Sequence, residues 1–303
     1  MTVFGHTPDG RKVDLLRIGS DRLALEILTL GARLNVVQLD AGPSLALGSA
    51  TVDEALGDAI YAGPIIGPII NRIGGGQARL NGQVLTMERN QAGKHALHSG
   101  SHGTQSKIWH VDEASDNAVS LSVLLPDGEG GLPGNRRIAV SYSVADTTIS
   151  IDITGSTDAE TFLNIGHHGY WNLDGRQSWE GHRLQVAASH YLPTDADTVP
   201  TGEVRPVDNS IYDLRQMAAP SDKLDTNFCL DPTEGPVASL VGTSGRQLDV
   251  FTDAPGFQVY TGKPTAIALE PQVWPDAPNH DGFPSISVKP GELFRQTTRY
   301  VLS

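Results

Sequence analysis

Apolar and polar positions alternate along most of this chain with a period of two. Residues 137–144 and 148–154 each place apolar side chains at every second position, with Ala145-Asp146-Thr147 between them. This is the pattern of two half-buried strands joined as a hairpin. Residues 23–30 form a short β-like run stopped by Gly31. Residues 33–39 resume it, and Asp40-Ala41-Gly42-Pro43 turns the chain. Similar runs occupy 119–125, 184–188, 247–252, 257–260, 266–269 and 295–302. Helical periodicity is confined to 52–59 and 210–217, each long enough for about two turns. The turn-rich stretch 191–213 predicts a long loop, a feature often tied to function in compact domains. Many short strands and little helix predict an all-β sandwich or barrel. With no linker, repeat or low-complexity block, residues 1–303 read as one large antiparallel β domain.

Composition adds limits. The chain is 39% hydrophobic, with 33 Gly and 19 Pro in 303 residues, as expected of a folded protein with ample core. Its 22 basic residues are scattered among 35 acidic ones, giving a net charge of −13. A nucleic-acid partner needs a clustered Lys/Arg surface, and anionic lipid needs a basic patch; neither is present in the sequence. The single cysteine, Cys229, excludes an intramolecular disulfide and a thiolate metal cluster. Met1 to His6 shows no secretory pattern, and no stretch reaches the ~18 apolar residues of a spanning helix. A soluble cytoplasmic protein with no membrane or nucleic-acid partner is expected.

The ten histidines are the first candidates for chemistry. His98 lies in Leu97-His98-Ser99-Gly100, His167 and His168 lie before Gly169-Tyr170-Trp171-Asn172, and His280 ends a segment that begins at Glu270. Three readings compete: a structural imidazole at a sheet edge, a metal site, and acid–base chemistry with a distant carboxylate. His95, His98 and His102 are closely spaced, with His167/His168 as further ligands. Against a metal, residues three apart on a strand point to opposite faces, and no carboxylate stands at ligand spacing. Glu270 ends the apolar run 266–269 and precedes Pro271, so it is either an ordinary strand-end carboxylate or a reactive group at a sheet rim. The rigid segment Pro271-Gln272-Val273-Trp274-Pro275-Asp276-Ala277-Pro278-Asn279-His280 favours the second reading.

Five separated segments resemble, in order, the motifs of the aldose 1-epimerase (galactose mutarotase) family. They are Asn71-Arg72-Ile73, Leu97-His98-Ser99-Gly100, His168-Gly169-Tyr170-Trp171-Asn172-Leu173, Leu224-Asp225-Thr226-Asn227-Phe228, and Leu269-Glu270 through Asn279-His280. The tail Val288-Lys289-Pro290-Gly291-Glu292 also fits. The resemblance implies a large antiparallel β-sandwich, the supersandwich of galactose mutarotases, in agreement with the strand reading. It implies a small-molecule aldose as partner, no cofactor and no metal, and a monomer or dimer. It also implies that His168 is the general acid toward the ring oxygen and Glu270 the general base toward the anomeric hydroxyl. His98 would be an assisting histidine, and Asn71, Arg72, Asp225 and Gln258 would hold sugar hydroxyls.

Anomers exchange by ring opening, rotation about C1–C2 and reclosure. One base and one acid on opposite sides of the acetal carbon suffice, and Glu270 ionised with His168 protonated is the expected starting state. A histidine acid suits neutral pH because both its states are accessible there. Trp171 or Trp274 could supply an apolar face to the sugar, or belong to the core. Three departures from the family pattern bear on the choice of sugar. Pro68 replaces an arginine, Ser99 replaces a glycine, and Lys263 follows Tyr260-Thr261-Gly262. Lys263 would suit an anionic sugar as a point charge, or stand on the surface. A non-catalytic carbohydrate-binding protein or sensor of the same fold, and a 1-epimerase of hexose phosphates or acidic sugars, are the alternatives.

Overall fold

In a computed structural model, which describes residues 1–303, three antiparallel sheets carry the architecture. Four strands, Thr2–His6, Lys12–Gly19, Leu23–Leu28 and Arg33–Leu39, pair in chain order. An eight-stranded sheet runs His110–Ala114, Ala118–Leu125, Arg136–Ala145, Thr148–Thr157, Phe294–Leu302, Gln247–Thr252, Ala238–Val241, Arg183–Val186. A six-stranded sheet runs Gly169–Trp171, Ile267–Gln272, Gly256–Tyr260, Asp225–Cys229, His190–Tyr191, Arg205–Pro206. Two-stranded ladders join the rest.

The alternation read from sequence is the reason these strands stack. In the central hairpin, Val140 stands opposite Ile153 and Tyr142 opposite Ile151. All four are buried, because residues two apart share a face. Tyr142 also donates its hydroxyl to Ala32 O at 2.6 Å, tying the eight-stranded sheet to the N-terminal one. A core of 47 buried residues fills the space between sheets. It takes Leu25 and Leu34 from the first, Ile138 and Ile151 from the second, and Phe228, Val259 and Leu269 from the third. This is the sandwich expected from the strand pattern.

Both helical expectations need correction. The one α-helix is Val52–Leu56; Thr51 caps it by accepting from Glu54 N at 3.1 Å, and Gly57 ends it. Residues 210–217 form no helix. Val186 N donates to Leu214 O at 2.8 Å and Leu184 N to Ala218 O at 2.7 Å, so the segment lies along the edge strand of the large sheet. Edge pairing and burial of Leu214 outweigh a short helical pattern there. Of the stretch 191–213, only Tyr191 and Arg205–Pro206 enter strands. No helix is long and apolar enough to cross a membrane.

Candidate active site

The six-stranded sheet builds one wall of the site through its register. Glu270 stands opposite Gln258, which stands opposite Asn227; one step along, Tyr170, Ala268, Tyr260 and Asp225 form the next row. Directly opposed residues of antiparallel strands point to the same face, as do residues two apart. These two rows therefore share one face. Leu269, Val259 and Phe257 point the other way into the core. The polar face is still covered: Glu270 is 2% exposed and Gln258 3%.

The facing wall comes from a two-stranded ladder in which Arg72 pairs with Leu97 and Ile73 with Ala96. Beyond the ladder, His98 N donates to Asn71 O at 2.9 Å, and Asn71 N donates to His98 Nδ1 at 3.1 Å. An imidazole nitrogen that accepts from a backbone N–H carries no proton, so the ring is neutral with its hydrogen on Nε2. His98 is thereby fixed as a donor. Both residues bend into the left-handed region, with φ of 64° at Asn71 and 51° at His98. Such a conformation costs on the order of 1 kcal/mol per residue and persists where the surroundings impose it.

His168 lies between the short strands Gly166–His167 and Gly169–Trp171, with its backbone held on both sides: its N–H donates to Pro64 O at 3.0 Å, and its carbonyl accepts from Gly63 N at 2.9 Å. His168 Nε2 lies 3.4 Å from Glu270 Oε1. His168 Nδ1 and Glu270 Oε2 have no hydrogen-bond partner, so neither side chain is committed to a structural bond. Acid and base candidates thus stand side by side. Arg72 binds Asp225 Oδ2 at 3.0 Å, and Gln258 donates to Asp225 Oδ1 at 2.6 Å. Arg72 also donates to Gln91 at 3.0 Å, and Gln91 reaches Asp197 O at 3.2 Å. The loop 191–213 thus braces the arginine from behind.

Burial governs the protonation of this site. It pushes the Glu270 carboxyl well above the ordinary range; the charge of Asp225 adds to the rise and Arg72 opposes it. Burial also drives His168 down to about 3, with His167 adding to the fall. His98 is held well below the ordinary imidazole value by burial, then by His168 and Arg72. Mutual attraction across 3.4 Å would act the other way on Glu270 and His168. In so dry a place the desolvation of two charges exceeds that gain. Burial thus favours neutral His168 with protonated Glu270 over the charged pair of the expected starting state. The total is the same: one proton shared by the pair.

All seven residues singled out from sequence line one cleft of about 280 Å³: His98, His168, Glu270, Asn71, Arg72, Asp225 and Gln258. Four more line it: Tyr61, Leu97, Tyr170 and Tyr260. The three tyrosines went unread because nothing local separates a cleft-facing tyrosine from a core one. Tyr170 and Tyr260 do fall two residues from a site position, at His168 and Gln258, which was the available signal. The two tryptophans lie elsewhere. Trp171 is fully buried in the core, and Trp274 packs on Phe283 at 5.1 Å with its indole N–H on Pro255 O. His95 and His102 turn to other partners, Gly75 N and Glu129 respectively, so the three clustered histidines form no common ligand set.

A family model described as aldose 1-epimerase matches residues 14–301. The chain belongs to the aldose 1-epimerase family. It is 31% identical to a galactose mutarotase of Rattus norvegicus over 100% of this chain and 98% of that one. It is 29% identical to an aldose 1-epimerase of Escherichia coli over 97% and 96%. A solved GalM/aldose epimerase homologue from C. elegans superposes with a TM-score of 0.91 at 26% identity, covering 96% of this chain and 99% of that one.

The departures from the aldose 1-epimerase motifs have local explanations. Ser99 sits at φ 60°, where a glycine would be free of strain. Its hydroxyl donates to Ile69 O and accepts from Ile69 N, each at 3.0 Å, which offsets the strain. Lys263 lies outside the cleft lining, with its ammonium 3.4 Å from Asp58 O. Pro68 is buried and also outside the lining.

Proposed function

We propose that His168 and Glu270 hold, between them, the single proton that anomer exchange requires, and that the protein interconverts the α and β forms of an aldose with them. The observation that carries this reading is the 3.4 Å separation of His168 Nε2 and Glu270 Oε1 in a cleft ringed by hydrogen-bonding groups. The two oxygens that must lose and gain a proton, the anomeric and the ring oxygen, share one carbon. An adjacent acid and base can therefore reach both at once. Whichever of the pair begins with the proton gives it to the ring oxygen, and the other takes the anomeric proton. Ring opening leaves the proton on the opposite partner, and closure on the other face of the carbonyl returns it. The pair neither gains nor loses a proton over the cycle. Each positioned group contributes roughly 10²–10⁴ in rate.

The remaining polar groups account for binding. A hydroxyl buried without a partner costs about 1–3 kcal/mol, and the cleft offers the Nε2–H of His98, the amides of Asn71 and Gln258, and the charges of Arg72 and Asp225. Tyr61, Tyr170 and Tyr260 offer apolar ring surface for the C–H side of a sugar. The only cation in the lining is Arg72, already bound to Asp225. A phosphorylated or acidic sugar would find no free positive charge, so a neutral aldose is the substrate class we assign.

The test is to follow anomer exchange of freshly dissolved neutral hexoses, pentoses, sugar acids and sugar phosphates by polarimetry or NMR. Acceleration of neutral sugars above charged ones is expected. Saturable binding with no acceleration of any sugar would make the protein a binder or sensor. Preference for the phosphates would overturn the substrate class.

A further inference from the structure

The cleft wall between Leu56 and Pro64 is held by a side chain that no part of the chemistry above uses. Arg33 is fully buried. Its Nη1 donates to Ala59 O at 2.6 Å and Ala62 O at 2.7 Å, and its Nη2 to Ala55 O at 2.9 Å and Ile60 O at 3.1 Å. One guanidinium thus closes three carbonyls of the strap, including those on either side of Tyr61, and one in the helix that leads into it. No carboxylate pairs with it; burial alone lowers its pKa, to about 10, so it stays charged at neutral pH. Isolated buried charges are expensive, and an ordinary surface loop needs none. The strap also runs against the strand that carries Arg33. Leu34 N donates to Gly63 O at 2.8 Å, and a Cβ on Gly63 would come within 2.2 Å of Leu34 O.

What the strap delivers lies in the cleft. The Tyr61 ring centroid is 4.6 Å from that of His98 and 5.8 Å from that of His168, stacked at 20° on the latter. The strap's next residues, Gly63 and Pro64, make the two backbone hydrogen bonds that hold His168. We propose that Arg33 is a positioning residue for anomer exchange, which acts by holding the strap that seats Tyr61 on the two cleft histidines. The inference rests on the reading of this cleft as the anomer-exchange site.

The experiment is a double-mutant cycle on the full chain with Arg33→Lys, Tyr61→Ala and the pair together, read as kcat and KM on α-D-glucose and α-D-galactose by polarimetry, with thermal unfolding alongside. Lysine keeps the charge but cannot span four carbonyls in one plane. Each single variant is expected to lose at least about tenfold in kcat/KM, and the pair to fall no more than about twofold below the weaker single, since both remove one element. Should Arg33→Lys fail to fold, Arg33→Gln takes its place under the same criteria. Parental kcat/KM in Tyr61→Ala would overturn the proposal whatever Arg33 does. So would an Arg33 variant with a lower Tm and intact kcat/KM, which is a purely structural role. Losses that multiply in the pair would also overturn it, because the two would then act separately. A parent that accelerates neither these nor other aldoses overturns the anomer-exchange reading itself, a result distinct from an active parent with unaffected variants.

Discussion

Replacing Glu270 by glutamine separates proton transfer from everything else the side chain does. The amide has the same shape but cannot accept and return a proton. The carboxylate has no structural hydrogen bond to lose: its Oε2 is unpartnered and its Oε1 faces His168 at 3.4 Å. The rate of anomer exchange should therefore fall at least about a hundredfold, roughly 2.7 kcal/mol of barrier. Stability should not fall with it. Burial raises the Glu270 pKa in the folded state, so its folded form keeps a proton that the unfolded chain releases above about pH 4.3. That raised pKa contributes stability below the unfolded value, and the contribution is lost as pH rises through the folded one. The neutral amide has no such loss, so Glu270→Gln should be as stable as the parent near pH 4 and more stable near pH 8. The gain is about 1.4 kcal/mol for every pH unit over which the folded carboxyl stays protonated while the unfolded one is ionised. Polarimetry on a freshly dissolved aldose reads the rate, and urea unfolding at the two pH values reads the stability. A variant as fast as the parent would refute the assignment of Glu270. A variant clearly less stable at pH 8 would show that Glu270 is held ionised, contrary to the neutral pair argued above.

Three other perturbations probe separate links. Asp225→Asn breaks the 3.0 Å ion pair with Arg72, and because hydrogen bonds to charged groups are worth about 1.5–3 kcal/mol, KM should rise about tenfold or more while kcat changes less; initial rates over a range of sugar concentrations decide it. The pH profile of kcat/KM should show no acid limb near 6.5, because activity is lost only when the one-proton pair takes up a second proton, and burial holds His168 at about 3; a half-maximal point near 6.5 would mean that His168 titrates as if in water. Stability should decline as pH falls below about 6.5, because His98, His167 and His168 are buried neutral with depressed pKa values while the unfolded chain takes up protons there; each contributes about 1.6 kcal/mol of loss between pH 6.5 and 5, and identical urea midpoints at the two values would contradict this.

Period-two alternation was enough to read the sandwich because each large sheet has one face on a common core, so the pattern of burial is printed into the strands. Because the 47-residue core draws on all three larger sheets, we propose that residues 1–303 fold as one unit. Strands whose pattern does not alternate were legible only in part: Asp225–Cys229 was missed, and Ile267–Gln272 was read only over 266–269. Asp225–Cys229 has four buried residues of five and Ile267–Gln272 is buried throughout, since both faces are covered. The seven candidate site residues were reached through motifs. What motifs could not supply was their arrangement: that Glu270 and His168 would touch, or that His98 would be locked in one tautomer by Asn71 N. Those facts depend on contacts between segments 27 and 102 positions apart.

The same register explains why polar groups can occupy a wall that is almost dry. Glu270, Gln258 and Asn227 form a row that would be intolerable in an ordinary core, because each carries polar atoms that must be satisfied. The sheet solves part of this internally, with Gln258 donating to Asp225 and Asn227 to Phe228 O. Glu270 alone in the row has no bond beyond its contact with His168. A carboxyl left so in a dry place keeps its proton, and an imidazole beside it gives its own up. The burial that makes the pair costly to ionise therefore also keeps one proton on it over a wide span of pH, which is the state that a reaction with no net proton change requires.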